Sequence, residues 1–426
     1  MTEPFVTTPE KGLRTRTAQP GIHPLRVIML SIHSSPLGEL GTEDTGGMSV
    51  YVRELSRELG SAGHCVDIYT CAQSSPQETD TSLADNVRLI RLPLPGSRRL
   101  SKRNLFGHLP EVYKSLDAYM TAHQLSYDVI HSHYWLSACV GQGVRNRLQV
   151  PHLIMFHTTG MAKRVACGTD REPDHRLISE RRLAHACERV LAASQREKDL
   201  LAKYYGVPEE KIGLTPCGVD LNLFRPLPKH DARRELGLHE TSVVVLYVGR
   251  FAPVKGLDRL IAAAAHLRQR SGLTFVIIGG DGQGTRESSA LSRLARRGSV
   301  EAMIKLPGRV AHDLLPLYYS AADVVVVSSY YESFSLVALE SLACGTPVVA
   351  TRVGAMDTLI EDGKTGLLVD RPAPRALAQA IDRAVTELSE GRMGEEEIRS
   401  SVLRYNWRAV AAAVVREYDA VLATPR

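Results

Sequence analysis

The sequence predicts an α/β protein made of two doubly wound, Rossmann-like domains that face each other across a cleft. Its 426 residues exceed what one hydrophobic core usually organises, and a share of about 150 residues per domain gives two or three domains. Short β-branched apolar runs alternate with helical stretches, which is typical of parallel sheets covered on both faces. A proline-containing segment near 217–239 separates two such series and is typical of an interdomain linker.

The first series begins at residue 25 and ends near residue 220, and this range is assigned to the first domain. Its strands are expected at 25–33, 66–70, 87–92, 128–133, 152–157, 189–194 and 211–216, and its first helix at 48–62. Residues 1–24 are polar and lack the apolar stretch of a signal peptide, so we expect a disordered lead-in there.

The second series predicts a second domain over 221–404. Its strands are expected at 242–249, 273–280, 303–307, 323–329 and 346–353, and a last helix follows at 407–422. Ligands of open α/β sheets bind beyond the carboxyl ends of the strands. The cleft between the two domains is therefore the expected site.

Composition excludes several classes of function. A net charge of +5 over this length is too mild to indicate a nucleic-acid partner. The seven cysteines are scattered without a CxxC pair, which indicates neither a disulfide framework nor a zinc site and favours a cytoplasmic location. No apolar run approaches the roughly 20 residues of a membrane-spanning helix, so no integral membrane segment is expected.

Two loops have features that suit an anionic ligand. Gly46 and Gly47 stand between the first strand and the first helix, where backbone can approach a ligand closely and the helix N-terminus favours an anion. Arg250 and Lys255, in VGRFAPVKG, flank the start of another helix and suit a diphosphate. A plain turn and a pair of solvated cations are the alternatives.

A pair of carboxylates follows the strand 323–329. Glu332 lies in the loop and Glu340, eight residues on, lies inside the next helix, beyond the loop amides of 334–336. Carboxylates accept hydrogen bonds from hydroxyl groups, so this arrangement suits a polyhydroxy ligand such as a sugar with a ribose. Local capping by Glu340 and a solvated Glu332 are the alternatives.

Three histidines lie on predicted strands of the first domain. His157 ends a strand at the edge that should face the cleft, where it could donate a hydrogen bond, although a structural role is the alternative. His131 and His133 share one face of their strand, and without a third ligand nearby in the sequence they do not indicate a metal site.

The motifs GRFAPVKG, ESFSLVALESLACGTPVVATRVG and DGKTGLLVD together resemble the nucleotide-binding domain of family 4 retaining glycosyltransferases, and the resemblance spans 25–422. It implies the two-domain GT-B fold, with the C-terminal helix region 405–424 packing back on the first domain. The implied donor-binding residues are Gly46, Gly47, Arg250, Lys255, Val310, Glu332, Phe334, Ser335, Leu336 and Glu340. Arg250 and Lys255 would hold the diphosphate, Glu340 the ribose and Glu332 the donor sugar. Ser335 stands where the family usually has glycine.

The first domain resembles the branch of this family that contains sucrose-phosphate synthase and D-inositol-3-phosphate glycosyltransferase, through SIHSSPLGELGTEDTGGMSVY and DVIHSHYWLS. In that branch a lysine, a tyrosine, a threonine and an arginine bind the acceptor's phosphate. The implied acceptor-binding residues here are His33, Asp44, Ser49, Lys102, Tyr134, Thr158 and Arg181. Ser49 replaces an asparagine of the inositol-phosphate enzyme, which weakens that particular assignment.

The resemblance predicts hexosyl transfer with retention from a nucleotide-diphosphate sugar, commonly UDP-linked, to a small phosphorylated acceptor. The expected catalytic residues are His157, Glu332, Arg250 and Lys255, with no metal and no cofactor because the cations balance the leaving diphosphate. Alternatives are a peripheral-membrane enzyme with a lipid or polysaccharide acceptor, a nucleotide-sugar epimerase and a non-catalytic nucleotide-sugar binder. A homodimer is the oligomeric state considered.

Overall fold

The protein is described by a computed structural model that covers residues 23–424 apart from 43, 73–78, 94–101, 169–171, 281–285 and 372. The predicted lead-in therefore lies almost wholly outside the described residues. Two sheets organise the chain, one with eight strands and one with six.

The first sheet has the strand order β3-β4-β2-β1-β5-β6-β7-β8. Its strands are β1 (Arg26–Leu30), β2 (Cys65–Cys71), β3 (Asp80–Ala84), β4 (Val87–Leu92), β5 (Val129–His133), β6 (His152–Met155), β7 (Arg189–Ala192) and β8 (Ile212–Leu214). All neighbours pair in parallel except β3, which pairs antiparallel with β4. The strand β3 was not predicted from the sequence, and it is antiparallel because the two-residue turn at Asp85 and Asn86 leaves no room for a crossover.

The second sheet is parallel throughout, with the order β11-β10-β9-β12-β13-β14. Its strands are β9 (Val243–Val248), β10 (Leu273–Ile278), β11 (Ile304–Gly308), β12 (Val324–Val327), β13 (Val348–Thr351) and β14 (Gly366–Val369). The central strands are buried valine-rich runs, as expected when helices cover both faces.

Helices cover both sheets and connect their strands. Those before β9 are α1 (Gly47–Ser61), α2 (Lys102–Leu105), α3 (Leu109–Ala122), α4 (Trp135–Leu148), α5 (Gly160–Cys167), α6 (Asp174–Ala186), α7 (Gln195–Tyr205) and α8 (Lys229–Glu235). Those after it are α9 (Leu257–His266), α10 (Arg286–Gly298), α11 (Leu315–Ala321), α12 (Leu336–Ala343), α13 (Met356–Leu359), α14 (Pro374–Ser389), α15 (Glu395–Ser400) and α16 (Trp407–Leu422).

The last helix, α16, returns to the first sheet and packs along α1. Tyr418 of α16 places its hydroxyl 2.8 Å from Nδ1 of the buried His131 on β5. Glu417 of α16 forms a 2.6 Å ion pair with Arg189 of β7. The predicted return of the C-terminal helix to the first domain is therefore confirmed.

Candidate active site

The predicted catalytic residues and Gly46 come from four loops that follow the carboxyl ends of strands. In the first sheet, residues 31–46 lead from β1 to α1, and residues 156–159 lead from β6 to α5. In the second sheet, residues 249–256 lead from β9 to α9, and residues 328–335 lead from β12 to α12. In the first sheet β1 and β6 are separated only by β5, and in the second sheet β9 and β12 are neighbours. In each sheet, therefore, the two loops lie close together at the carboxyl ends of the strands, where ligands of such sheets bind.

The glycine pair of the first domain faces the second domain. A Cβ atom on Gly47 would lie 3.4 Å from Cδ1 of Leu336, and one on Gly46 would lie 4.0 Å from Nε of Arg250. The structure therefore brings these four predicted donor-binding residues together across the cleft.

Two further contacts join the domains beside this point. The Ser194 hydroxyl, at the start of α7, donates to the Ser333 carbonyl at 2.9 Å. Arg309, which precedes the predicted donor-binding residue Val310, lies 3.2 Å from the Glu39 carboxylate of the loop between β1 and α1. These contacts lie on either side of the predicted donor site.

Lys255 and Glu332 are paired with each other. The Lys255 ammonium lies 2.7 Å from Oε1 of Glu332, and the Ser329 hydroxyl donates to the same oxygen at 2.7 Å. Gly256, which begins α9, has φ +64°, and a Cβ there would lie 2.0 Å from the Ser328 carbonyl oxygen. Only glycine allows this close approach, which brings Lys255 next to the Glu332 loop.

The loop after Glu332 ends in a strained residue. Ser335 has φ +102° and ψ +96°, and its hydroxyl caps α12 by accepting from the Ala338 amide at 3.3 Å. Phe334 is buried, with its ring 6.0 Å from that of Tyr405. The backbone at Ser335 thus has the conformation that explains why the family usually has glycine there.

Glu340 is buried and held by two donors. His312 places Nε2 2.8 Å from Oε1, and the Tyr319 hydroxyl donates to Oε2 at 2.8 Å. Burial opposes the charged form of His312, but the Glu340 carboxylate outweighs it and raises the pKa of His312 above its ordinary value. These contacts fix the carboxylate at the edge of a small pocket between α1 and the second domain, lined also by Phe224 and Trp407.

His157 lies in a strained turn and contacts a second histidine. Its φ is +59°, and the Thr158 amide donates to the Phe156 carbonyl at 2.6 Å, which closes a three-residue turn around it. Nε2 of His157 lies 2.9 Å from Nδ1 of His133. Burial lowers the pKa of both imidazoles well below the ordinary range, so both are neutral at pH 7.

Three predicted acceptor residues form one cluster with an arginine that the sequence did not single out. His33 and Tyr134 have ring centroids 4.5 Å apart, and the Arg176 guanidinium lies 4.9 Å from the centre of the Tyr134 ring. Arg176 also donates to the Thr158 carbonyl at 2.8 Å, while its other nitrogens contact Glu172 and Glu180 at 2.7 Å.

The other predicted acceptor residues lie on several elements of the first domain, and the side chain of one is outside the described residues. Ser49 is buried, and its hydroxyl lies 2.7 Å from that of Ser34. Arg181 is exposed on α6, and Asp44 lies in the loop before α1. Lys102 begins α2, but its side chain lies outside the described residues. The roles of all these residues stay predictions.

The described part of the chain offers no cluster of three or more histidine, cysteine or carboxylate side chains that could hold a metal ion. Among its helices, none has the length and apolar character needed to cross a membrane.

Two Rossmann-like sheets that meet at a cleft lined by paired cationic and acidic side chains define a GT-B type of enzyme. Residues 228–398 match the family described as Glycosyl transferases group 1, and residues 45–223 match Glycosyltransferase Family 4. The chain therefore belongs to the family 4 glycosyltransferases, and it is a glycosyltransferase that uses a nucleotide sugar.

Individual relatives cover nearly the whole chain. It is 39% identical over 408 residues to D-inositol 3-phosphate glycosyltransferase 2 of Catenulispora acidiphila, covering 93% of this chain and 95% of the relative. The D-inositol 3-phosphate glycosyltransferase of Kribbella flavida is 38% identical, with 92% and 95% covered. Sucrose-phosphate synthase of Thermosynechococcus elongatus superposes with a TM-score of 0.86 at 32% identity, covering 94% of this chain and 99% of that structure.

Proposed function

We propose that this glycosyltransferase moves a hexosyl unit, with retention, from a UDP-sugar to a small phosphorylated acceptor such as inositol phosphate or a hexose phosphate. The names of relatives that share 38–39% of its residues support this acceptor class. The observation that carries it is the cluster of Tyr134, Thr158 and Arg176, because Thr158 directly follows His157 in one turn. The family resemblance implies that His157 contacts the transferring sugar, so an acceptor phosphate bound there would lie next to the donor sugar.

Within this proposal, Arg176 takes the phosphate-binding role that the sequence had suggested for Arg181. Arg176 is buried and held in place by Glu172 and Glu180, whereas Arg181 is exposed. The contacts to Glu172, Glu180 and Thr158 hold the guanidinium in place and leave the second N–H of Nη1 to donate to a phosphate.

Arg250 and Lys255 would balance the charge that grows on the diphosphate as the bond to the anomeric carbon breaks. Lys255 lies at the start of α9, whose N-terminus favours an anion in the same place. We propose front-face attack, in which the leaving phosphate oxygen accepts the proton of the acceptor hydroxyl. Glu332, held by Lys255 and Ser329, would orient the donor sugar through its hydroxyl groups.

The proposal is tested by nucleotide release from UDP-, ADP- and GDP-sugars, each with and without inositol phosphate or hexose phosphates. We expect release only from a UDP-sugar together with a phosphorylated acceptor. Release without any acceptor would indicate an epimerase or a hydrolase and would contradict the proposal. Donor binding with turnover only on a lipid or a polysaccharide would contradict the acceptor class.

The phosphate site is tested by the matched variants Arg176→Lys and Arg181→Lys. Lysine keeps the charge but loses the planar fork. We expect R176K to raise the KM of the acceptor about tenfold or more, because an ammonium group cannot both keep the guanidinium's contacts and donate to the phosphate, and R181K to leave it unchanged. The reverse ranking would return the role to Arg181.

A further inference from the structure

The histidine pair His133–His157 is a contact that the proposed chemistry has not yet used. His133 lies on β5 and is fully buried, whereas His157 lies on the neighbouring strand's exit loop and is partly exposed. Their facing nitrogens, Nδ1 of His133 and Nε2 of His157, are 2.9 Å apart. Since both rings are neutral, one of these nitrogens carries a proton and the other accepts it.

The surroundings of His133 indicate which ring is the donor. Nε2 of His133 is buried and has no hydrogen-bond partner among the described residues. If the proton were on that nitrogen, a buried N–H would be orphaned, and orphaned N–H groups are rarer in proteins than undersatisfied acceptors. The proton therefore belongs on Nδ1 of His133, which donates it to Nε2 of His157.

Aromatic rings surround the histidine pair and hold the two imidazole rings in place. The Tyr51 ring lies 5.7 Å from His133 and 5.3 Å from His157, edge-on to the latter. Trp407 of α16 packs 5.5 Å from the other side of Tyr51, and His131 lies 4.2 Å from His133. The two imidazoles are thus confined on several sides.

We propose that His133 is a positioning residue that fixes His157 as the tautomer protonated on Nδ1, so that His157 presents an N–H donor to a hydroxyl group of the transferring sugar. This inference rests on the proposed function through the contact of His157 with the sugar. His133 itself touches no substrate. The tautomer, in contrast, is a property of the free protein and is measured without substrate.

The tautomer is tested first, by long-range proton–nitrogen NMR of the protein labelled with ¹⁵N-histidine, with His157 assigned by loss of its signals in His157→Gln. We expect Nδ1 of His157 to be protonated and Nε2 to be unprotonated in the wild-type protein. A proton on Nε2 would overturn the proposal, whatever the protein's activity.

The kinetic test compares two amides at position 133. Asparagine places its N–H close to the position of histidine Nδ1, whereas glutamine places it one bond further out. We expect His133→Asn to keep kcat near the wild-type value, and both His133→Gln and His133→Leu to lower kcat about tenfold to a hundredfold with little change in the KM of the UDP-sugar. Equal kcat in all three variants would overturn the proposal, since packing alone would then account for His133.

A neighbouring histidine provides the matched control. His131 is equally buried on the same strand but contacts Tyr418 rather than His157. His131→Asn removes no hydrogen bond to His157, so it should leave the His157 tautomer unchanged, and a changed tautomer would contradict the specific role of His133. A wild-type protein with the expected tautomer but no transfer to any acceptor would refute the proposed function alone.

Discussion

Backbone strain at the residue scale concentrates in the cleft. Tyr134, His157 and Ser335 have φ of +76°, +59° and +102°, although none is a glycine. Such conformations cost about 1–3 kcal/mol each and persist where the surroundings hold them. The other described non-glycine residues with positive φ lie at turns or helix ends: Asn86, Gln124, Gln149 and Ser299. All three strained residues of the cleft were predicted site residues, so backbone strain and sequence motifs indicate the same site.

Replacing Ser335 by glycine should stabilise the protein. Glycine removes the strain of φ +102°, worth about 1–3 kcal/mol, and as an N-cap it costs only a few tenths of a kcal/mol relative to serine. Ser335→Ala keeps the strain and loses the cap, so it should destabilise by about 1 kcal/mol. Urea unfolding of the two variants checks both signs, and a destabilised S335G would mean that the conformation is not strained.

Replacing Glu332 by glutamine should impair transfer but not nucleotide binding. The change keeps the size of the side chain and releases Lys255 from its 2.7 Å ion pair. We expect kcat to fall about a hundredfold to a thousandfold, and UDP affinity by calorimetry to be unchanged or higher. If E332Q transferred the sugar at the wild-type rate, the role assigned to Glu332 would be contradicted.

The residues that sequence reasoning missed are those whose role depends on burial. The side chains concerned form buried contacts with partners that are distant in the sequence and that only the folded structure brings close: Arg176 with Thr158, and His312 and Tyr319 with Glu340. The spacing of Arg176 and Glu180 on one helix face was a weak signal, but Arg181 was equally eligible in the string HRLISERRL. Motif residues such as Lys255 and Glu332 were predictable because spacing alone identifies them.

At the scale of elements, α7 connects the first domain's core to the second domain. The Ser194 hydroxyl accepts from the Glu197 amide at 3.2 Å, and the Glu197 carboxylate accepts from the Ala193 amide at 2.7 Å, as in a capping box. The same Ser194 hydroxyl donates to Ser333, next to Glu332. The N-cap residue of α7 thus contacts the second domain's loop 328–335, which carries Glu332.

Glu197 gives this element a pH dependence. Burial raises its pKa from an ordinary value of 4.5 to about 7, against the Ala193 amide, which lowers it. As pH rises between these values, the unfolded state loses the proton first, so the contribution of Glu197 to the free energy of unfolding falls and then levels off above pH 7. The loss is on the order of 3 kcal/mol, from about 1.4 kcal/mol per pKa unit.

Glu197→Gln should remove that fall. Relative to the wild type, its free energy of unfolding should increase between about pH 4 and pH 8 by the same order of magnitude. Denaturant titrations at several pH values measure it, with the exposed Glu209→Gln as a control for removing a charge. A constant difference between E197Q and the wild type would contradict the raised pKa.

Most strands were predicted, and the two missing strands have physical reasons. The runs 87–92 and 407–422 agree with β4 and α16 residue for residue. β3 (DTSLA) is a polar edge strand without the β-branched pattern that marks buried strands, and β14 (GLLV) is a four-residue strand behind a turn. Both lie at sheet edges; β3 is largely exposed, whereas β14 is buried but too short to show a clear pattern.

At the scale of the whole molecule, the chain crosses between its domains at two places that are tied together. Arg399, just before the return crossing, donates to the carbonyls of Leu221 and Phe224 in the linker, at 3.0 and 2.8 Å. The Val219 amide donates to the Tyr405 carbonyl at 2.8 Å. Opening and closing of the cleft must therefore bend both crossings together, so the faces of the cleft approach along a restricted path.

Substitutions of Gly47 test whether α1 and α12 approach each other when the cleft closes. It begins α1, where alanine would favour the helix by up to about 1 kcal/mol, and an added Cβ meets Leu336 at an ordinary contact distance of 3.4 Å. Gly47→Ala should thus be at least as stable as the wild type and remain active. Gly47→Val adds branches between the two domains; it should leave the melting temperature nearly unchanged but lower kcat/KM for the UDP-sugar about tenfold or more.

Small-angle scattering separates an obstructed cleft from a damaged fold. UDP should reduce the radius of gyration of the wild type and of G47A, because closure brings α1 and α12 together, and should fail to do so in G47V. If G47V lost activity but still became compact with UDP, its side chain would be disturbing the diphosphate rather than closure. If G47V kept both compaction and activity, Gly47 would not lie at the closing interface, because a branched side chain cannot occupy a gap that already brings Leu336 within 3.4 Å of a single Cβ.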